Sequence, residues 1–499
     1  MTLTNKAAGK DTDKPAAYFE GNRHSGEVTS AEASLWLAWH LIENKDSRQI
    51  ESLLKDKAIY IRPVNNPDGH DMYLYTAQTN RSSVRPHDSD GDGRIDEDPG
   101  EDLNGDGFIS QMRQHVGAGK GTHVIDDRDP AGNAMRNVGQ GKGDYLITPE
   151  GIDNDGDGRI NEDGIGGLDL HRNYPTNWRV EASADATGRG FTQNGAGEYP
   201  LSEPETRHVY TWLMSHTNIG VVNSMDTRVP MHLRGPSTCE QDECMAPKDA
   251  QLYEAFDKKG VSFTGYPYAG NVYRDYATRF GGNPTPLFGH GPDFGYFGYG
   301  AMWYGDELWN GGQNTDYDKD GRYDEWELSR WCHENGRKNC FIPWTKQAHP
   351  TLGEVEIGGI NPKFWSQNPQ PDLLEPWAAN QSKFNLWMTR QLPEVGIVSA
   401  NAKAVRGSED GATHEITVRV RNTGQLPTAL EMAKQIKIVR PDTVRVDGAQ
   451  PVGTPPAYHL DARQAMKVTL RVKKTGGDKV TVTSVSTRGG VDSTSVALR

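Results

Sequence analysis

In the stretch GNRHSGE, His24 and Glu27 stand three residues apart, a spacing that lets an imidazole and a carboxylate reach one metal ion. Alone, such a pair arises often by chance and is also an ordinary polar turn. A second constellation is acidic. DSDGDG (Asp88 to Gly93), DLNGDG (Asp102 to Gly107), DNDGDG (Asp153 to Gly158) and DYDKDG (Asp316 to Gly321) place oxygen ligands at alternate positions before a turn glycine. That spacing suits calcium. Only the fourth continues as an EF-hand-like loop, so Asp316, Asp318, Asp320, Asp324 and Glu327 form a candidate calcium set. The first three lack the terminal glutamate and could recruit Glu97, Asp98, Glu162 or Asp163; their plain alternative is solvated acidic loop.

The elements around these residues alternate strand and helix. Thr29 with Glu32 reads as a capping box opening a helix to about Asn44, with Leu35, Trp39 and Ile42 on one face. KAIYIRPV reads as a buried strand ending at NNPDG, and NIGVVNSMD as a second, ending at Asp226. Between them Ser202 and Glu205 open a helix running to about Ser215. This alternation predicts an α/β sheet whose sites gather at the C-terminal ends of its strands. From about Pro86 to Gly166 the texture turns to Asp, Gly and Asn, which reads as an insertion too polar to build a core of its own. After about Pro393, period-two runs such as HEITVRVRNTG and AMKVTLRVKKTGG predict a β-sandwich. The expected domains are therefore 1–393 and 394–499.

Beyond HxxE, the chain carries in order NPDG, NRSSVR, DLHRNYP, YPLSEPET, an Arg234-Gly-Pro turn and GDELW. This ordered set resembles the zinc carboxypeptidase family over about residues 16 to 392. The resemblance implies a mixed-sheet α/β/α domain, zinc held by His24 and Glu27, a carbonyl-polarising arginine at Arg81 (with Arg85 as fallback), and a general base at Glu307. It assigns substrate binding to Arg172 and His171, where His171 replaces the first asparagine of the family's NRN motif, and to Asp293 in the specificity pocket. Tyr273 and Tyr276 are candidates for the family's mobile tyrosine. Counting back eight residues from Arg234 puts the third zinc ligand at Asp226, where the family has histidine; His232 is the alternative. A His, Glu, Asp set is more anionic than the family's and should acidify its water less. Two readings follow: an exopeptidase acting on a peptide or peptidoglycan peptide with a free C-terminal carboxylate, or an inactive, calcium-stabilised binding protein that keeps the pocket.

With 499 residues there is room for two domains. No apolar run reaches the roughly 18 residues of a membrane helix, and a formal charge of −14 argues against nucleic acid. The four cysteines fall into two close pairs, 239 with 244 and 332 with 340, which suits small disulfide loops and hence an extracellular or periplasmic setting. Only 23 residues precede His24, fewer than the resemblance leads one to expect, so the reading includes a shortened N-terminus.

Overall fold

The structure is a computed structural model that describes residues 1–88, 91–179, 195–279, 281–311, 315–405 and 413–498. Its central element is an eight-stranded mixed sheet. From one edge the order is Thr2–Leu3, Ala58–Arg62, Ala16–Gly21, Ile219–Thr227, Met302–Tyr304, Met231–Arg234 and Tyr268–Asn271, with Glu307–Leu308 lying between Ile219–Thr227 and Met231–Arg234. Ala16–Gly21 runs parallel to both neighbours, and its six residues are all buried. Ile219–Thr227 is buried at all nine positions, with Ile219, Val221 and Val222 apolar and Asn223, Ser224 and Asp226 polar toward the site.

Helices Val28–Glu43, Pro247–Thr264 and Pro371–Gln391 pack together on the sheet around Phe19, Leu37, Leu41, Phe256 and Phe384. On a second cluster, Val209 and Leu213 of helix Pro204–Ser215 cover Tyr18, Tyr60 and Val222. The first helix has the expected extent but the opposite face. Leu35, Trp39 and Ile42 are 43%, 54% and 50% exposed, whereas Ala31, Leu37, Ala38 and Leu41 are buried. Its small residues permit close approach to the sheet: a Cβ built at Gly21 falls 2.4 Å from Ser30 O. Nor does Thr29 cap this helix. It lies inside it, and its amide and hydroxyl bond Asn368 Oδ1 at 3.0 and 2.8 Å.

The acidic insertion is better ordered than its composition predicts. Strands Gln111–His115, His123–Ile125, Met135–Asn137 and Tyr145–Pro149 join Phe341–His349 and Gly353–Ile360 in a six-stranded sheet. The distant hairpin supplies Val355 and Ile357 to pack on Met112, so the core is built jointly by two segments of chain. Cys239 pairs with Cys244 and Cys332 with Cys340.

From Val395 onward the chain forms two four-stranded antiparallel sheets, the expected β-sandwich. It docks firmly. Leu426, Leu430 and Ala433 enter the main core of the α/β domain, Arg488 donates to the carbonyls of Thr217, Tyr299 and Gly300, and Asp249 accepts from the amides of Glu431 and Met432.

Candidate metal centre

The end of strand Ala16–Gly21 and the start of helix Val28–Glu43 create a turn that carries His24 and Glu27. Asn22 closes it by donating to the carbonyls of His24 and Ser25 at 3.1 and 2.8 Å, while Ser30 Oγ donates to Glu27 O at 2.6 Å. Within it His24 Nδ1 lies 3.0 Å from Glu27 Oε1. The other ring nitrogen, Nε2, lies 2.9 Å from Asp169 Oδ1, and a carboxylate on that side fixes the ring and leaves Nδ1 facing Glu27.

Asp226 comes to the same point from the end of strand Ile219–Thr227. Its Oδ1 is 3.8 Å from His24 Nδ1 and is a buried oxygen without a hydrogen bond. Two ligands about 2.0–2.1 Å from a tetrahedral ion stand roughly 3.3 Å apart, and spacings of 3.0 and 3.8 Å put Glu27 and Asp226 each near enough to share a cation with His24 Nδ1; the three groups here whose ligand atoms all lie within 4.8 Å of one another are His24, His171 and Asp226. The electrostatics agree. Glu307, paired in register with Asp226, has its carboxyl pushed up to about 8 by burial and by the charges of Glu27 and Asp226. His24 is drawn up to about 9: burial and Arg81 oppose its charge, but Glu27, Asp169 and Asp226 outweigh them. Glu27 and Asp226 thus make the ground around His24 and Glu307 favourable to positive charge. His24, Glu27 and Asp226 are the residues that would hold a divalent cation.

Other predicted residues sort themselves by contact. Arg81 donates to Glu27 Oε1 at 3.1 Å and to Asp169 Oδ2 at 3.2 Å. Arg85 turns instead to Glu198 and Glu203, which removes it as the fallback. His232 is no ligand here: it is fully buried, 3.0 Å from Asp306 Oδ2 and 2.8 Å from Thr264 Oγ1. Arg172 is 7% exposed; its Nε lies 3.7 Å from Asp169 Oδ2, and neither Nε nor Nη1 makes a hydrogen bond among the described residues. Asp293 is fully buried, accepts from the Ser237 amide and from Asn177, and is pushed up to about 6 by burial. His171 meets Asp226 directly and is grouped with it and His24 as a possible ligand cluster.

A cavity of about 710 Å³ opens over this cluster, lined by Glu27, Arg81, Glu307 and Tyr276 together with Arg228 and Arg279. Of the two tyrosines singled out, Tyr276 is the one in the wall, and burial and the Glu307 charge raise its hydroxyl pKa. The sequence pattern gave no sign of Arg228 or Arg279, because neither stands in a recognisable motif.

The acidic loops behave differently. In the fourth, Asp316, Asp318 and Asp320 bring carboxylate oxygens within 4.8 Å of one another, and Asp316 Oδ1 is buried without a partner. Asp324 and Glu327 do not join them. They form a capping box on helix Glu325–Glu334, Glu327 also accepts from the Tyr317 amide, and Asp324 pairs with Arg128. In the other loops Asp88, Asp102 and Asp153 each accept from two loop glycine amides. The first and third loops interlock, for Asp98 accepts from Asn154 and Asn161 across 56 and 63 residues. Glu97 and Glu162 have both carboxylate oxygens shielded and unbonded among the described residues. Ser89 and Asp90 of the first loop lie outside the described residues.

Comparison with known families matches residues 1–138 and 145–326 to the zinc carboxypeptidase family. This chain belongs to the zinc carboxypeptidase family. Residues 394–497 match a domain of unknown function. Comparison with curated proteins returns no match. Solved structures similar to this one include the carboxypeptidase A from Helicoverpa armigera (14% identity, 67% of this chain and 60% of that one, TM-score 0.38). Thrombin-activatable fibrinolysis inhibitor is another (16%, 62% and 58%, TM-score 0.38), as is the bovine form in complex with tick carboxypeptidase inhibitor (17%, 65% and 79%, TM-score 0.36). The chain thus spans about three fifths of the first two structures it resembles. No helix of the described residues is long and apolar enough to cross a membrane.

Proposed function

We propose that this protein is a zinc-dependent exopeptidase that removes C-terminal residues from peptides. The observation that carries this reading is the orphaned Asp226 Oδ1 facing His24 Nδ1 beside Glu27, with Glu307 at the next strand position over an open cavity. Zinc bound by His24, Glu27 and Asp226 would supply Lewis acidity, polarising a carbonyl and acidifying water.

The chain's own residues do the rest. Glu307, held by the Val229 amide at 3.2 Å, accepts the proton of the attacking water and delivers it to the leaving amine. Arg81 faces the cavity from beside Glu27 and stabilises the developing oxyanion. Arg172, whose Nε lies 3.7 Å from Asp169 Oδ2 and whose Nη1 makes no hydrogen bond among the described residues, is the proposed anchor for the substrate's carboxylate. Asp293 stays the proposed specificity residue, although it is fully buried and does not line the cavity. Calcium is proposed at Asp316, Asp318 and Asp320, with Asp324 and Glu327 anchoring the following helix, and the two disulfides support an extracellular or periplasmic location. Peptides and peptidoglycan stem peptides both offer the required carboxylate.

A second reading, a binding protein that has lost catalysis, is favoured by the extra anionic ligand at Asp226. Glu307→Gln separates the two. For an exopeptidase the variant keeps zinc and folding but loses hydrolysis of a blocked dipeptide; retention of more than about a tenth of the rate contradicts Glu307 as base.

A further inference from the structure

The side chain that meets Asp226 is His171, and its proton position follows from its other partner. His171 Nδ1 lies 3.1 Å from Arg23 Nη1. A guanidinium can only donate, so Nδ1 must accept, and a neutral imidazole then carries its proton on Nε2. That nitrogen points at Asp226 Oδ2 in a short contact. The hydrogen bond occupies one oxygen of Asp226 and leaves Oδ1, the unbonded oxygen, turned toward His24 Nδ1 and Glu27.

Arg23 is itself held in place. Its Nη2 bonds Glu20 Oε1, whose carboxylate also accepts from the Tyr18 hydroxyl, and its guanidinium lies 5.1 Å from the Tyr174 ring centroid. Glu20, Arg23, His171 and Asp226 are all at most 4% exposed. Gly291 leaves room for this row of residues: a Cβ built there falls 2.7 Å from Arg23 Nη1. In a dry setting such a row has no water to substitute for a missing partner.

We infer that His171 is a positioning residue: with its tautomer fixed by Arg23, it donates to Asp226 Oδ2 and presents Oδ1 as a single-oxygen metal ligand. This rests on Asp226 being a ligand and adds that His171 neither coordinates the metal nor touches substrate. A metal-ligating carboxylate without such a partner is free to rotate, and removing an outer partner of this kind typically costs 10- to 100-fold in metal affinity.

The test measures zinc affinity by competition with a chromophoric chelator and counts imidazole ligands by zinc X-ray absorption, with thermal melting as the folding control. Zinc-loaded wild type should show one imidazole, from His24. His171→Asn should keep that count and bind zinc roughly 10- to 100-fold more weakly. Arg23→Gln should weaken binding in the same direction, and it reads the same coupling if His171→Asn fails to fold. Two imidazoles in the wild type, or wild-type affinity in both variants, overturns the inference. Asp226→Asn distinguishes the underlying reading. If it binds zinc as tightly as wild type, Asp226 is not a ligand; if it loses zinc while His171→Asn does not, only the positioning role fails.

Discussion

The cluster around His24 and the four acidic loops are both rich in carboxylates, yet they handle charge in opposite ways. In the loops each leading aspartate turns back on its own backbone: Asp102, for example, accepts from Gly105 and Gly107. Much of this charge faces water, where a carboxylate costs little whether or not an ion is near. At the metal centre Asp226, Glu27 and Asp169 are nearly fully buried. Each is answered by a named donor, and one oxygen, Asp226 Oδ1, is left over with an imidazole nitrogen nearby. A buried carboxylate oxygen left unbonded therefore says more about a cation than the repeated motif does, and by that measure the fourth loop, through Asp316 Oδ1, stays a candidate, while the His24 cluster adds an imidazole.

The largest effect is expected from changing the buried set. Asp226→His combined with His171→Asn exchanges the anionic ligand for an imidazole and replaces the neighbouring ring by a shorter amide that can turn its carbonyl toward the new ring. Zinc affinity measured by chelator competition should rise by at least about tenfold, and dipeptide hydrolysis with it. A rise from no activity would mark the natural chain as a binding protein. No gain in affinity would show that position 226 does not face the metal.

A smaller effect is expected at the loops. With zinc held constant, calcium should raise the melting temperature by a few degrees through the 316–327 loop. Asp316→Asn should remove most of that shift. Arg128 already pairs with Asp318 and Asp324, so calcium must displace or share those contacts, which limits its gain. A calcium-independent melting curve would mean that Arg128 alone serves as the cation of this loop.

The sequence reading succeeded where a local pattern coincides with a buried element. Strand Ala58–Arg62 was legible because an apolar, partly β-branched run allows little else, Ile219–Thr227 because Ile219, Val221 and Val222 open it as a buried run, and the C-terminal sandwich because strict alternation does. It went astray where the deciding partner lies far along the chain. Leu35, Trp39 and Ile42 lie on one face, but the helix buries the opposite one, with Ala31, Leu37, Ala38 and Leu41, where the sheet approaches closely at Gly21. Thr29 looked like a cap until Asn368, 339 residues away, claimed it. The insertion seemed unable to form a core because half of that core, Val355 and Ile357, comes from another segment. The family resemblance pointed to His24, Glu27 and Asp226, and Glu27 and Asp226 both lie near His24 Nδ1, at 3.0 and 3.8 Å. Spacing could not show that His171 meets Asp226 across 55 residues, since one residue's contact leaves no period in the sequence.

The most direct test of the account is turnover by the zinc-loaded wild-type chain on one blocked dipeptide, supplied with a free C-terminal carboxylate and as its amide. The account predicts hydrolysis of the acid, lost on chelation and restored by zinc, with the amide cleaved at least about a hundredfold more slowly because Arg172 then has no anion to hold. Equal cleavage of the two forms, or no cleavage of the acid by protein carrying a full complement of zinc, would contradict it.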